Sequence, residues 1–137
     1  MQLSPLIAVH MTAAIAAICI GPIALWARRG ATQRPRLHRA FGYAWVTMML
    51  VTAISAIFIR DYRLPNIAGF TPIHLFVPLT CYFLFSAFQA LGKGNIVGHR
   101  RAMQRLYISA CLVAGAFTLL PNRYLGRLLW RQWLSLV

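Results

Sequence analysis

The stretch RLHRAFGYAW, residues 36–45, is where a basic segment of the chain runs directly into an apolar one. The same transition recurs in GHRRAMQRLY, residues 98–107. In each case a His-Arg pair stands at the start of an apolar run of about 20 residues, the length that a membrane span requires. This repeated boundary predicts a chain that crosses a membrane several times, with a histidine at the start of two of the crossings.

The composition favours an integral membrane protein over a soluble domain. Hydrophobic residues make up 60% of the chain and charged residues 11%, whereas soluble domains are roughly half apolar and a quarter charged. The net charge is +13, with Asp61 as the only acidic residue, and the arginines lie between the apolar runs. This pattern is typical of a protein that places its charge at a lipid surface, so we expect the lipid bilayer as partner and no nucleic acid.

Four apolar stretches are long enough to cross about 30 Å of hydrocarbon. They are separated by loops that contain glycine and proline, which interrupt helices. The predicted fold class is therefore an all-α integral membrane protein, a four-helix transmembrane bundle over residues 1–121. The predicted spans are about 5–27, 40–59, 72–91 and 102–120.

The C-terminal segment, residues 122–137, is too short and too basic to form a fifth span. Arg123, Arg127 and Arg131 recur every four residues and therefore share one face of a helix. We predict that this segment is an amphipathic helix that lies in the membrane interface.

Basic residues orient the predicted bundle. Nine of the 14 lie around the first and third loops and five lie around the second loop and in the tail. The positive-inside rule places the basic loops in the cytoplasm, so both termini are predicted on the outer side of the membrane.

The chain has four histidines, and each lies near the start of a different predicted span. The chain is thus predicted to consist of two similar helical hairpins, each with a histidine before each of its two spans. The orientation places one histidine pair in each leaflet. The predicted outer pair is His10 with His74, and the predicted inner pair is His38 with His99.

Two histidines at equal depth on neighbouring helices can ligate a haem iron from both sides. Facing ring nitrogens would then lie about 4 Å apart, each about 2 Å from the metal. The sequence therefore predicts one or two haem b groups, with all four histidines as candidate metal ligands. Gly42, one turn after His38, would leave room for the macrocycle, and Arg39 and Arg100 would meet its propionates.

Other interpretations of these residues stay open. A histidine in the first turn of a span also acts as a helix cap, or as an interfacial residue that meets water and lipid phosphate. The small residues Ala14, Ala17 and Gly21, which follow His10 along one face, are also typical of a helix-packing surface. With a single acidic residue the chain offers no paired carboxylates and no Ser-His-Asp set, so no catalytic residues are predicted.

The layout, from His10 to about residue 120, resembles a bacterial family of predicted four-helix membrane proteins of unknown function. The resemblance rests on four motifs. They are a histidine in span one (His10), His-Arg-x-x-Gly at residues 38–42, a histidine that starts span three (His74), and His-Arg-x-x-Met at residues 99–103. It implies a multi-pass protein of the bacterial cytoplasmic (inner) membrane. A looser similarity of layout runs to transmembrane b-type cytochromes and haem A synthase, which also pair histidines across helices.

The resulting functional prediction is a small b-type cytochrome-like electron carrier that exchanges electrons with quinone or a larger membrane complex. The alternative is a non-catalytic accessory or lipid-binding subunit of such a complex. The sequence leaves open whether the chain works alone or as an oligomer.

Overall fold

The computed structural model describes residues 4–31, 33–60, 62, 65–121 and 123–134. All regular elements of these residues are helical, and the one β-type contact among them is an isolated bridge between Ile67 and Phe70. The all-α prediction is therefore confirmed. Among the described residues, three helices are long and apolar enough to cross a membrane: Pro5–Trp26, Pro35–Phe58 and Pro72–Gly92.

The first two helices both begin with a proline, which needs no hydrogen-bond acceptor for its nitrogen at that position. Helix α1 (Pro5–Trp26) is preceded by Ser4, whose hydroxyl accepts a hydrogen bond from the Ile7 N–H at 3.3 Å. Helix α2 (Pro35–Phe58) begins five residues before the predicted span at residue 40. Its earlier start places His38 inside the first turn of the helix.

A short 3₁₀ turn (Pro72–Leu75) leads into α3 (Phe76–Gly92). Before it, the chain reverses at residues 67–70, where Ala68 and Gly69 have positive φ angles of 53° and 84°. Successive left-handed residues are the signature of a tight turn that pairs its two ends. The Ile67–Phe70 bridge closes this turn.

The fourth helical stretch is continuous from residue 96 to residue 118 but changes its winding. It comprises α4 (Ile96–Leu106), a π-helical segment (Tyr107–Val113) and α5 (Ala114–Thr118). The Asn95 side chain caps its start by accepting the Gly98 N–H at 2.8 Å. It therefore begins before the predicted span at 102, and it is not among the three span-like helices.

The chain ends in α6 (Tyr124–Arg127) and a second π-helical segment (Leu128–Trp133), which fold back onto the end of the fourth stretch. The indole N–H of Trp130 donates to the Leu119 carbonyl oxygen at 2.8 Å. Gly126 is buried against Leu120, whose carbonyl oxygen would overlap a side chain at this position. The predicted segment 122–137 lies partly outside the described residues.

Helices pack as two pairs, α1 with α2 and α3 with the fourth stretch. A shared core joins the pairs. It consists of Ala17, Trp45, Met49, Leu84, Leu106 and Cys111.

One contact between the pairs follows from the proline inside α1. Pro22 has no N–H, so the Ile18 carbonyl four residues earlier loses its helical partner. The Tyr107 hydroxyl, which belongs to the other pair, donates to that carbonyl at 3.0 Å. Gly21 permits this approach, because a Cβ there would lie 2.6 Å from the Tyr107 ring. We call this contact the Pro22–Tyr107 junction.

Candidate functional site

His38 and His99 lie side by side at the end of the helices that also carries the basic segments around residues 28–39 and 93–105. We call this the basic end. The two imidazole ring centroids are 6.5 Å apart, and the ring planes are inclined at 82°. Each histidine is the fourth residue of its helix, α2 and α4 respectively. The second helix of each pair therefore contributes its fourth residue, a histidine, to the same site.

Both rings are held by a main-chain carbonyl of the helix that precedes them. His38 Nδ1 lies 2.8 Å from the Ala24 carbonyl oxygen, in the last turn of α1. His99 Nδ1 lies 3.0 Å from the Ala87 carbonyl oxygen in α3. Carbonyl oxygens only accept hydrogen bonds, so Nδ1 carries the proton and donates in both rings. In the neutral imidazole the other nitrogen, Nε2, then keeps its lone pair.

This arrangement is the one by which proteins orient histidines as metal ligands. A ligating imidazole typically donates its second N–H to a backbone carbonyl or carboxylate, which fixes the tautomer and the ring orientation. At the basic end, two such rings are presented by different helices. The pair therefore presents two neighbouring imidazoles whose Nε2 atoms both keep their lone pairs.

Gly42, Arg39 and Arg100, which the sequence predicted beside His38 and His99, differ from one another in their surroundings. Gly42 faces open space, because a Cβ built there would meet no atom within 4 Å. Arg39 is exposed. Arg100 is also exposed, and its guanidinium donates to the carbonyl oxygen of Arg28 in the first loop. The basic end thus combines a histidine pair, open volume beside α2 and several cations.

At the opposite end, His74 uses both of its ring nitrogens. Nδ1 accepts the Thr71 backbone N–H at 3.1 Å, as part of a capping box that starts the 3₁₀ turn. Nδ1 is then unprotonated, so Nε2 carries the hydrogen and donates to the Ile59 carbonyl at 2.9 Å. His74 therefore joins the start of the third span-like helix to the end of α2, a capping role like that of Glu or Gln in such a box.

His10 is anchored in a third way. Its Nδ1 lies 3.0 Å from both the Thr52 carbonyl oxygen and the Ser55 hydroxyl oxygen. The Ser55 hydroxyl donates its own hydrogen to the Val51 carbonyl at 2.6 Å, so it accepts from His10. Nδ1 of His10 is thus the protonated nitrogen, and Nε2 keeps its lone pair.

His10 and His74 both line a partly enclosed cavity of about 610 Å³ between the two helix pairs. We call this end of the molecule the cavity end. Its walls are mostly apolar and come from both pairs, with Ala14, Met49 and Cys111 at intermediate depth. The volume is within the range of roughly 300–1,000 Å³ that is typical of small-molecule sites.

The C-terminal helical segments contribute the basic part of this cavity. Arg123, Arg127 and Arg131 all line it, together with Tyr124 and Leu125. The four-residue spacing correctly indicated that these arginines share a face, but no pattern in the chain predicts that this face closes over a cavity. The segment's fold-back depends on Gly126, which no periodic pattern distinguishes.

The small-residue face of α1 serves two purposes along its length. Ala17 and Gly21 are buried, and Gly21 meets Tyr107 and Trp45 at the Pro22–Tyr107 junction. Ala14 and Ala17 line the cavity. The helix-packing interpretation thus applies to the middle of α1, and the open space lies toward His10.

Among the described residues, no group of three or more His, Cys, Asp or Glu side chains could hold a metal ion. A metal ion bound by the described residues would therefore need most of its ligands from another source, as iron in haem has the nitrogens of its porphyrin.

Comparison with known proteins places the chain in a family. Residues 7–121 match the family described as "Predicted membrane protein (DUF2306)", and the chain belongs to it. That description assigns no activity. No curated protein and no solved structure shows significant similarity to the chain.

Proposed function

We propose that this protein is a four-span membrane electron carrier that binds one haem b between His38 and His99. The observation that supports this proposal is the 6.5 Å separation of two imidazole rings whose Nε2 atoms both keep their lone pairs. Two imidazoles on opposite sides of one iron, with metal–nitrogen bonds of about 2 Å, have centroids about 6 Å apart. The observed centroid separation of 6.5 Å is close to that value.

The residues around the pair fit the proposed group. Nδ1 of each ring is already committed to a carbonyl, so Nε2 is the nitrogen available to a metal. The open volume beside Gly42 offers room next to His38. Arg39 lies at the exposed edge, where a guanidinium would neutralise a propionate carboxylate. Bound haem would supply one-electron chemistry, and this chain would hold it, orient it and shield it from water.

The cavity end gives no comparable support for a second haem. Using His74 as an axial ligand would release either the Thr71 N–H or the Ile59 carbonyl from its hydrogen bond. An unsatisfied buried group of this kind costs about 1–3 kcal/mol. The proposal is therefore for one haem at the basic end, with quinone or a larger membrane complex as the electron partner.

The single-histidine variants provide the direct test. Wild-type protein, expressed with ample haem and purified in detergent, should show a reduced α-band of a b-type cytochrome. His38→Ala and His99→Ala should each abolish it, because the bilayer supplies no replacement ligand. His10→Ala is the matched control, also on a long helix and anchored through Nδ1, and it should keep the band.

Two results would count against the proposal. One is wild-type protein that purifies without haem under these conditions, and the other is a band that survives in both His38→Ala and His99→Ala. Either would favour the accessory-subunit alternative, in which the histidines serve only as hydrogen bonds between helices.

The proposal also includes an orientation. With nine basic residues around the first and third loops, the basic end would face the cytoplasm of a bacterial inner membrane and both termini would face outward. A reporter fused at residue 31 should then be cytoplasmic and one fused after Val137 should be external. Reporters that give the opposite sides would place the proposed haem in the outer leaflet.

A further inference from the structure

We propose that the cavity between the helix pairs binds an anionic phospholipid, with one acyl chain inside and the phosphate on Arg127 and Arg131. This site lies at the cavity end, so the inference is independent of the haem proposed between His38 and His99.

The shape and lining of the cavity fit an acyl chain. Most of the lining is aliphatic, with contributions from α1, α2 and α5. An acyl chain that moves from the bilayer into this cavity exchanges one apolar surrounding for another, so the arginines would decide which lipid is bound. At mid-length the helix pairs are joined by the shared core and the Pro22–Tyr107 junction, and the cavity extends from the core residues Ala17, Met49 and Cys111 toward His10 and His74.

The arginines that line the cavity favour a ligand with an anionic headgroup. Arg127 and Arg131 line the cavity, and neither side chain forms a hydrogen bond or ion pair with any described residue. The chain's one acidic side chain, Asp61, lies outside the described residues, and it stands against 14 basic ones. A phosphate diester can accept hydrogen bonds from two guanidinium groups at once. An uncharged ligand such as a quinone would leave both cations uncompensated.

A second, smaller cavity beside Arg127 and Arg131 supports a ligand that extends in two directions from these arginines. A cavity of about 330 Å³ shares Tyr124, Arg127 and Arg131 with the larger one and is completed by Leu128 and Gln132. The two arginines therefore stand between an apolar cavity and a smaller, more polar recess. This division matches an acyl chain on one side of a phosphate and the remaining headgroup on the other.

Lipid retention by purified protein tests the proposal. Delipidated protein would be mixed with dioleoyl phosphatidylglycerol and, in separate samples, with dioleoyl phosphatidylcholine, oleate or inorganic phosphate. Native mass spectrometry would then count the bound molecules. We expect about one phosphatidylglycerol per chain, with at least tenfold weaker retention of phosphatidylcholine, which carries a cationic headgroup, and no retention of inorganic phosphate.

Two sets of variants separate this site from general attraction of lipid to a basic protein. The double variant Arg127→Gln/Arg131→Gln should lose about tenfold in phosphatidylglycerol affinity. The matched control Arg29→Gln/Arg36→Gln removes two exposed arginines at the basic end and should lose little. Ala14→Phe fills the cavity without changing any charge and should also reduce retention. Far-UV circular dichroism and the thermal unfolding midpoint of each variant report that the fold persists.

Equal retention of phosphatidylglycerol and phosphatidylcholine would overturn the proposal, as would equal losses in the two double variants. Preferential binding of oleate over phosphatidylglycerol would also overturn it, because the ligand would then be a free fatty acid. A missing haem band with intact lipid retention would refute the proposed electron carrier and leave this site standing.

Discussion

The two ends of this molecule differ in how their histidines are arranged. At the basic end, His38 and His99 each donate through Nδ1 and keep Nε2 unprotonated, with ring centroids 6.5 Å apart. At the cavity end, both ring nitrogens of His74 form hydrogen bonds with the backbone, and His10 lies on the wall of a cavity of about 610 Å³. The comparison shows that His38 and His99 differ from His74 in keeping Nε2 unprotonated, and that His10 shares their Nδ1 donation but lies on the cavity wall.

The largest effect expected from this comparison is on stability at the cavity end. His74→Ala leaves the Thr71 N–H and the Ile59 carbonyl without partners and should lower the free energy of unfolding by about 2–4 kcal/mol. His99→Ala removes one hydrogen bond to a carbonyl that lies inside α3, and should cost about 1 kcal/mol in haem-free protein. Equilibrium unfolding in mixed detergent micelles measures both. A larger loss for His99→Ala would reverse the roles assigned to the two ends.

The second prediction compares two glycines. Gly21→Ala forces a methyl group against Tyr107 and Trp45 and should cost about 1–3 kcal/mol of unfolding free energy. Gly42→Ala adds the same methyl group in open space, so the better helix propensity of alanine should raise stability by about 0.5 kcal/mol. The same unfolding assay checks the pair. Equal losses would mean that the space beside Gly42 is filled in the folded protein.

A third, smaller effect concerns the Pro22–Tyr107 junction, which joins the helix pairs between the two ends. Tyr107→Phe removes one hydrogen bond and should cost about 1 kcal/mol. Pro22→Ala restores an N–H that can satisfy the Ile18 carbonyl, so the same tyrosine change should cost less than half as much in that background. A double-mutant cycle measures the difference. Strict additivity would show that the hydroxyl does not satisfy this carbonyl.

The smallest expected effect is at the exposed edge of the basic end. Arg39→Gln should keep the haem band and weaken haem binding only about twofold, because an exposed ion pair is screened by water. Spectroscopic titration of haem-free protein with haem measures this, with Arg36→Gln as the control. Loss of the band in Arg39→Gln would instead make the arginine essential to the site.

Hydropathy predicted the helices well because each long apolar run must satisfy its own backbone hydrogen bonds in lipid. Three of the four predicted spans correspond to span-like helices, with α1 at Pro5–Trp26 against a predicted 5–27. The fourth stretch was predicted with a later start, since His99 to Arg105 lowers the local hydropathy. The earlier starts of α2 and α4 could have been predicted from Pro35, which is the first residue of α2, and from Asn95, which caps α4.

Only part of the candidate site could be predicted from the sequence. The helix-start position of His38 and His99 was visible, but their use of carbonyls at Ala24 and Ala87 depends on how helices pack. The sequence left open that a histidine in the first turn caps its helix, and His74 does so with Thr71. Its second bond, to the Ile59 carbonyl, joins residues 15 positions apart and depends on how the chain folds. The cavity depends on where the segment after residue 122 folds back, and no periodicity encodes that direction.

The Pro22–Tyr107 junction also bears on the order in which the protein is assembled. If α1 and α2 enter the bilayer as they are synthesised, before Tyr107 exists, the Ile18 carbonyl would lack this partner in hydrocarbon, at a cost of several kcal/mol. The arrival of the second helix pair removes that penalty. The proline thus makes the first half of the protein incomplete by itself, and a chain truncated before residue 107 should be poorly tolerated by the cell's membrane quality control.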